Sequence, residues 1–376
     1  MITGRDRDDF LLFDGPVTAS VELNGRRVTN FGGCSYLGLT GHPLAAKAAK
    51  EAIDQYGIGA SVSRAYGVAN PLLLDLEKAT ADFFGVEDAF CTGAGYLSSP
   101  LALAALSGPK TRIYLNKVCH HSIQFGAAAT GQPVEQLPHG LGWSDPESLS
   151  GIVASTLKPG ETPLFAMDGV TGLMGDIAPL PEFLTLAEEF DGLVYMDDAH
   201  GVGTLGAAGR GTAEHFAVRS ERLCRGATYS KALGGLGGFL FGSHTFIDKV
   251  RASPISRGSN LGSIANAAAM IALFDYLVVN RDCIRREQDN IAYMKKQLVG
   301  LGLDLSLQPS PIASFSIGDL QAHTDLQQSL LKDDGLFVCQ STHTGASKDG
   351  VIRIGVFADH SKDHLDKLVQ ALKKRL

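Results

Sequence analysis

Short runs of apolar residues recur along the first two thirds of the chain, at 112–115, 164–167, 193–196 and 238–241. Each is too short for a helix and too continuous for a half-exposed strand, so they read as buried strands. Between them apolar positions fall at helical spacing, at 146–157 and 181–190. Strand–helix alternation of this kind predicts an α/β fold with a mainly parallel sheet, whose ligands gather at the carboxyl ends of the strands. Polar motifs follow these runs directly. Past Ser243 the pattern changes to a long helical region at 260–301 with a break near Asn280, a strand at 312–317, a helix at 320–332, strands at 336–339 and 351–355, and a last helix from Ser361. The chain is thereby divided into an N-terminal segment at 1–40, a large domain at 41–280 and a smaller α+β C-terminal domain at 281–376.

Composition narrows the function classes. With 376 residues, 44% hydrophobic and 19% charged, the chain can bury the cores of two domains and suits a soluble globular enzyme. A net charge of −7 leaves no basic excess to meet phosphates, so no nucleic-acid partner is expected. The most apolar stretch, 264–279, is short and contains Asp275, which predicts a buried helix and no membrane span. Cys34, Cys91, Cys119, Cys224, Cys283 and Cys339 form no Cys-x-x-Cys pair, which argues against zinc and against a disulfide framework. Free thiols, together with residues 1–9 too charged for a signal peptide, predict a cytoplasmic protein.

Five clusters carry candidate chemistry. Lys231 stands in Thr228-Tyr229-Ser230-Lys231 ahead of the glycine-rich run 234–238; lysine is the side chain that forms Schiff bases with carbonyl cofactors, pyridoxal phosphate among them. Met196-Asp197-Asp198-Ala199-His200 ends a strand and offers a carboxylate for a pyridinium nitrogen, although a metal site, a helix cap or a plain turn would use the same residues. Cys91-Thr92-Gly93-Ala94-Gly95-Tyr96 opens a helix whose N–H groups could hold a phosphate, without the full Gly-x-Gly-x-x-Gly of a dinucleotide site. His120 and His121 are adjacent and cannot face one ion from a regular helix, so no metal is expected there. Arg353, inside the apolar strand 351–355, needs an anionic partner, either a substrate carboxylate or a structural ion pair.

In this order and spacing, and together with Tyr36-Leu37-Gly38-Leu39, Ser63-Arg64, Leu76-Glu77 and Gly175-Asp176-Ile177-Ala178-Pro179-Leu180, the clusters resemble the α-oxoamine synthase family of fold-type I PLP transferases from about Phe31 onward. The resemblance implies a PLP-dependent acyltransferase that condenses an amino acid with an acyl thioester, usually with loss of CO2, to give an α-aminoketone. It implies Lys231 as the Schiff-base lysine and proton shuttle, Asp197 on the pyridinium nitrogen, His200 on the phenolic oxygen and His120 stacked on the ring. Gly95, Tyr96 and Thr228 would hold the phosphate, Ser259 would reach the phosphate of the partner subunit in a homodimer with shared sites, and Arg353 would grip the amino acid carboxylate. Departures from the family pattern are Ser35 in place of Asn, Leu73 in place of His, Asp168 in place of Glu, Gly172 in place of a hydroxyl residue and Cys119 in place of Asn. Most surround the substrate, so Ser35 and Asp168 are candidate substrate contacts. A short N-terminus removes one region for gripping CoA, which brings in an acyl-carrier protein as a possible donor. The competing readings are another fold-type I activity, an aldolase-like lyase or aminotransferase, and a non-catalytic partner subunit, which would be expected to lack Lys231.

Overall fold

A computed structural model describes residues 10–59, 63–139, 143, 145–258 and 262–376. Three strands open it, β1 (Phe13–Asp14), β2 (Ser20–Leu23) and β3 (Arg26–Asn30). The sheet that carries the cavity follows: β4 (Asp88–Thr92), β5 (Thr111–Asn116), β6 (Val134–Leu137), β7 (Thr162–Asp168), β8 (Leu193–Asp197), β9 (Leu223–Thr228) and β10 (Gly238–Gly242). Its order is β4-β10-β9-β8-β7-β5-β6, parallel throughout except for β10, which runs antiparallel to both neighbours. The four apolar runs lie on β5, β7, β8 and β10. They are continuous because helices cover both faces of the sheet, and Phe165, Tyr195 and Phe239 are fully buried. Each such aromatic contributes roughly 1.5–3 kcal/mol by leaving water.

The helices at Pro146–Thr156 and Leu180–Glu189 match their predicted positions, and the long helical region divides at Asn280 into Ile264–Val279 and Asp282–Gly300. Sequence patterning passed over Pro71–Phe84, although its ends are marked: Asn70 accepts the Leu72 N–H, Pro71 starts the helix and Gly85 closes it at φ 64°. No helix among the described residues is long and apolar enough to cross a membrane.

The C-terminal strands β11 (Ile312–Phe315), β12 (Leu336–Phe337), β13 (Cys339–Ser341) and β14 (Val351–Gly355) do not form one sheet. β11-β14-β13 make an antiparallel sheet, while β12 pairs in parallel with β3 and joins the N-terminal strands. Phe31 accordingly packs in the same core as Phe315, Ile354 and Leu368. His360 holds this junction: its ring stacks between Phe31 and Phe357, with centroids at 4.2 and 5.0 Å. Its Nδ1 accepts the Phe357 N–H, so the neutral ring carries its proton on Nε2 and donates it to the Asn30 carbonyl at 2.9 Å.

Burial pushes the His360 imidazole from 6.5 down to about 3. The unfolded chain therefore takes up this proton first. The stability His360 contributes is complete above about pH 6.5 and is lost as pH falls toward 3. Urea unfolding at pH 5 should show a loss of about 2 kcal/mol relative to neutral pH from this group, and His360→Gln should remove that part of the slope.

Candidate active site

Four neighbouring parallel strands deliver their carboxyl ends to one place. Asp168 ends β7, Asp197 ends β8 directly opposite it, Thr228 ends β9, and His120 follows β5 as the N-cap of the helix His121–Ala129. Between them lies a cavity of about 170 Å³ lined by Gly95, Tyr96, His120, Ser122, Asp168, Gly172, Asp197, Ala199, His200, Thr228, Ser230 and Lys231. Lys231 enters from the β9–β10 connection, which folds tightly because Gly234 and Gly237 take φ of +74° and +90°. A Cβ on Gly234 would lie 2.7 Å from the Leu39 backbone, and one on Gly237 2.6 Å from the Thr92 carbonyl oxygen.

The Lys231 Nζ meets His200 Nε2 at 2.8 Å. Burial lowers the pKa of both groups, and the guanidinium of Arg353 acts in the same direction. Lys231 is thus biased toward the neutral amine that attack on a carbonyl requires. Asp197 accepts from Ser99 Oγ at 2.7 Å on one oxygen and from the Ala199 N–H at 3.2 Å on the other. Asp168 accepts the His120 N–H at 2.8 Å, and burial together with the charge of Asp197 holds its carboxyl well above the usual carboxylate range. Of the two side-by-side carboxyls, Asp168 is thereby biased toward its neutral form. Asp198 belongs to the structure instead: fully buried, it takes the N–H and hydroxyl of Thr212 at 2.8 and 2.6 Å.

At the other end a helical turn opens at Gly95–Leu97 and runs into the helix Ser98–Leu106. Its first N–H groups have no acceptor within the turn, which suits a phosphate. Thr228 Oγ1 and Ser230 Oγ stand 2.7 Å apart beside it. A Cβ on Gly95 would come within 2.5 Å of Thr228 Oγ1, so the cradle exists because that Cβ is missing. Gly95→Ala should weaken pyridoxal phosphate binding to the cofactor-free protein about tenfold, read by fluorescence titration, with a lower Tm as the buried Thr228 is displaced.

Arg353 projects from β14 and is buried. It donates to the Gly172 and Gly33 carbonyl oxygens at 2.8 and 3.4 Å, to Tyr36 Oη at 2.9 Å and to Cys34 Sγ at 3.5 Å. It takes part in none of the ion pairs formed among the described residues. A buried guanidinium with no carboxylate partner among the described residues still favours an incoming carboxylate.

Not every predicted residue meets the cavity. Ser35 Oγ pairs with Thr40 Oγ1 at 2.9 Å and does not line it. Leu73 packs in the core beside Leu76 and Tyr229. Ser259 lies outside the described residues. Residues the motifs did not single out complete the site. Ser99 takes the Tyr195 hydroxyl at 3.1 Å and passes its own proton to Asp197, and Ser122 Oγ meets His120 Nδ1 at 2.8 Å. His343 lies nearly parallel to His120 at 5.7 Å. A Ser–Ser pair at a helix start and a Ser two residues past a histidine were the available signals.

These residues fit pyridoxal phosphate: an amine held toward neutrality, a carboxyl group oriented by two hydrogen bonds, an imidazole lining the cavity and a glycine cradle at a helix start. A family model described as Aminotransferase class I and II matches residues 26–372. The 8-amino-7-oxononanoate synthase of Alkaliphilus metalliredigens is 31% identical over 366 residues, covering 96% of this chain and 91% of that protein. The 8-amino-7-oxononanoate synthase 1 of Bacillus subtilis is 32% identical over 358 residues, covering 94% and 90%. In fold, the chain is similar to the solved Sphingomonas wittichii serine palmitoyltransferase, with a TM-score of 0.90 at 24% identity over 97% of this chain and 91% of that one. The chain belongs to the aminotransferase class I and II family and, within it, to the PLP-dependent α-oxoamine synthases.

Proposed function

We propose that this protein condenses an amino acid with an acyl thioester to give an α-aminoketone, usually with loss of CO2. The observation that carries the reading is the hydrogen-bonded line from the Lys231 amine to the Arg353 guanidinium, which has no carboxylate partner: an amino acid can be gripped at its carboxylate while its α-carbon faces the amine.

Pyridoxal phosphate, when bound, supplies the sink for the electron pair left at the α-carbon. The chain's own residues do the rest. Gly95, Tyr96, Thr228 and Ser230 bind the phosphate. Asp197 holds a negative charge against the pyridine nitrogen, with Ser99 and the Ala199 N–H keeping the carboxylate oriented. His120 and His200 would hold the ring between them and the sheet's carboxyl ends. Arg353 would fix the substrate carboxylate and so limit which bond at the α-carbon is presented for breaking. Lys231 Nζ takes the α-proton. The α-carbon then bonds to the acyl carbon while the C–S bond breaks and the thiolate leaves; where CO2 is lost, the bond to the carboxylate carbon breaks and the α-carbon takes a proton back from Lys231 Nζ. Asp168, which lines the cavity, is proposed to tune the amino acid.

We infer a homodimer in which Ser259 of each chain serves the other's site. Exposed apolar residues near the cofactor cradle and the neighbouring loops, among them Tyr66 at 78% and Leu236 at 60%, support it. Six unpaired cysteines support a reducing, cytoplasmic setting, and the division at 1–40, 41–280 and 281–376 is proposed with it.

The test is release of free thiol from an acyl thioester that depends on an added amino acid. The relatives' product name contains a seven-carbon dioyl unit joined to an aminoethyl unit, so alanine with a heptanedioyl thioester is the first pair to try. Strong preference for acyl-CoA over acyl-carrier protein would remove the carrier as donor. Transamination without thiol release would replace the proposal with an aminotransferase.

A further inference from the structure

The line from Lys231 to Arg353 has a direction. A guanidinium can only donate hydrogen bonds. At 2.9 Å from Arg353 Nη2, Tyr36 Oη is therefore an acceptor. The hydroxyl proton of Tyr36 then has two neighbours to choose between, Cys34 Sγ and His200 Nδ1, and the imidazole nitrogen, 2.8 Å from the same oxygen, is the stronger acceptor. Nδ1 receives that proton as a hydrogen bond and cannot carry one of its own. Burial keeps the ring neutral by lowering its pKa. A neutral imidazole carries a single N–H, which leaves it on Nε2, 2.8 Å from the Lys231 amine.

The parts are held firmly enough to keep this order. Tyr36 is fully buried, so water does not interrupt its contacts. Its carbonyl accepts the Ala358 N–H at 2.7 Å, and its own N–H reaches the Cys34 carbonyl at 2.8 Å. Gly172 leaves room for the ring beyond: a Cβ there would lie 2.8 Å from His200 Nε2. Cys34 Sγ, 3.5 Å from the same Arg353 nitrogen, shares the guanidinium without displacing Tyr36. A charged Lys231 would reverse the chain, since an ammonium also only donates. Nε2 would then accept, Nδ1 would carry the proton and donate it to Tyr36 Oη, and the Tyr36 hydroxyl would have to turn from the imidazole to the weaker acceptor Cys34 Sγ.

We propose that Tyr36 is a positioning residue: with its hydroxyl oriented by Arg353, it fixes His200 as the Nε2–H tautomer and so links the carboxylate-binding end of the cavity to the Lys231 amine. The N–H that His200 presents to Lys231, or to a phenolic oxygen in its place, is set from the substrate side. A carboxylate arriving at Arg353 redistributes the guanidinium's donors, and Tyr36 carries that change to His200. The consequence for turnover rests on the reaction proposed above; the tautomer itself does not.

The test uses full-length, cofactor-free protein labelled with 15N-histidine, with the His200 signals assigned by their loss in His200→Asn. The expected wild-type spectrum has an unprotonated-type Nδ1 and a protonated-type Nε2. Tyr36→Phe should give a mixture of tautomers and, in the holoenzyme, a fall in kcat of about tenfold that exceeds the change in KM for the amino acid. An Nδ1–H signal in wild type, or an unaltered Nε2–H preference in Tyr36→Phe, would overturn the proposal. If Tyr36→Phe does not fold, the wild-type spectrum alone decides. The expected tautomer in a protein inactive with every thioester would support the relay and count against the reaction.

Discussion

Lys231→Ala is expected to lower amino-acid-dependent thiol release by at least about 10³-fold while leaving the fold intact. The amine is the group in the cavity poised to act as a base: it faces His200 Nε2 at 2.8 Å, and burial lowers its pKa. Removing it takes away no core packing, since Lys231 is only half-buried, so Tm should hold or rise slightly. Lys231→Arg sharpens the result. It restores the charge but not the basicity, because a guanidinium stays protonated, and it should be as inactive as the alanine variant. A small primary amine added to Lys231→Ala should recover part of the rate. Retention of more than a tenth of wild-type turnover by Lys231→Ala would remove this residue from the chemistry.

Asp197→Asn should lower kcat by about 10²–10³-fold, with an unusual remainder. The substitution preserves shape: its amide oxygen can still accept the Ala199 N–H, while its NH2 has to donate to Ser99 Oγ where the carboxylate accepted, so the main loss is the negative charge. That charge also helps hold the Asp168 carboxyl neutral, second to burial. Without it, Asp168 loses one cause of its raised pKa and ionises more readily as pH rises. A carboxylate would then reappear one strand away, at the end of β7. The residual kcat of Asp197→Asn should therefore climb with pH, and Asp168→Asn added to it should flatten that climb. A pH-independent remainder would mean that Asp168 stays neutral in both proteins and that burial alone controls it.

How much of this could be seen in the sequence depended on how local each cause was. The central strands were legible because both faces are covered, which turns a strand into an unbroken apolar run; β6, an edge strand of sequence Val134-Glu135-Gln136-Leu137 with one buried residue, leaves no such trace. Asp197, Thr228 and His120 were legible because polar residues directly after buried strands stand where parallel sheets place their ligands. Arg353 was legible as a charge within an apolar strand. Its neighbours were not: the Gly172 carbonyl and Tyr36 hydroxyl lie 181 and 317 residues away along the chain. Ser99 and Ser122 were hidden for the same reason, since their roles arise only where two helices and β8 meet. Leu73, singled out by departure from a family pattern, lies in the core, so a departure marks a changed position without saying what that position touches.

The pairing of β3 with β12 places a constraint on synthesis as well as on shape. Gly32 and Cys339 are joined by a hydrogen bond across 307 residues, and Asn30 and His360 across 330. A ribosome adding about 5–20 residues per second needs roughly 15–65 s to cover that distance. Throughout that interval β1, β2 and β3 can pair with one another, but the edge of β3 that takes β12 stays open and Phe31 lacks its core, while the sheet from β4 to β10 can already close. Arg353 is among the last residues to emerge. The strand that carries Arg353 is therefore among the last parts of the molecule to be assembled, which gives a nascent or C-terminally truncated chain the strands that flank Lys231 and Asp197 but not the guanidinium that meets Gly172 and Tyr36.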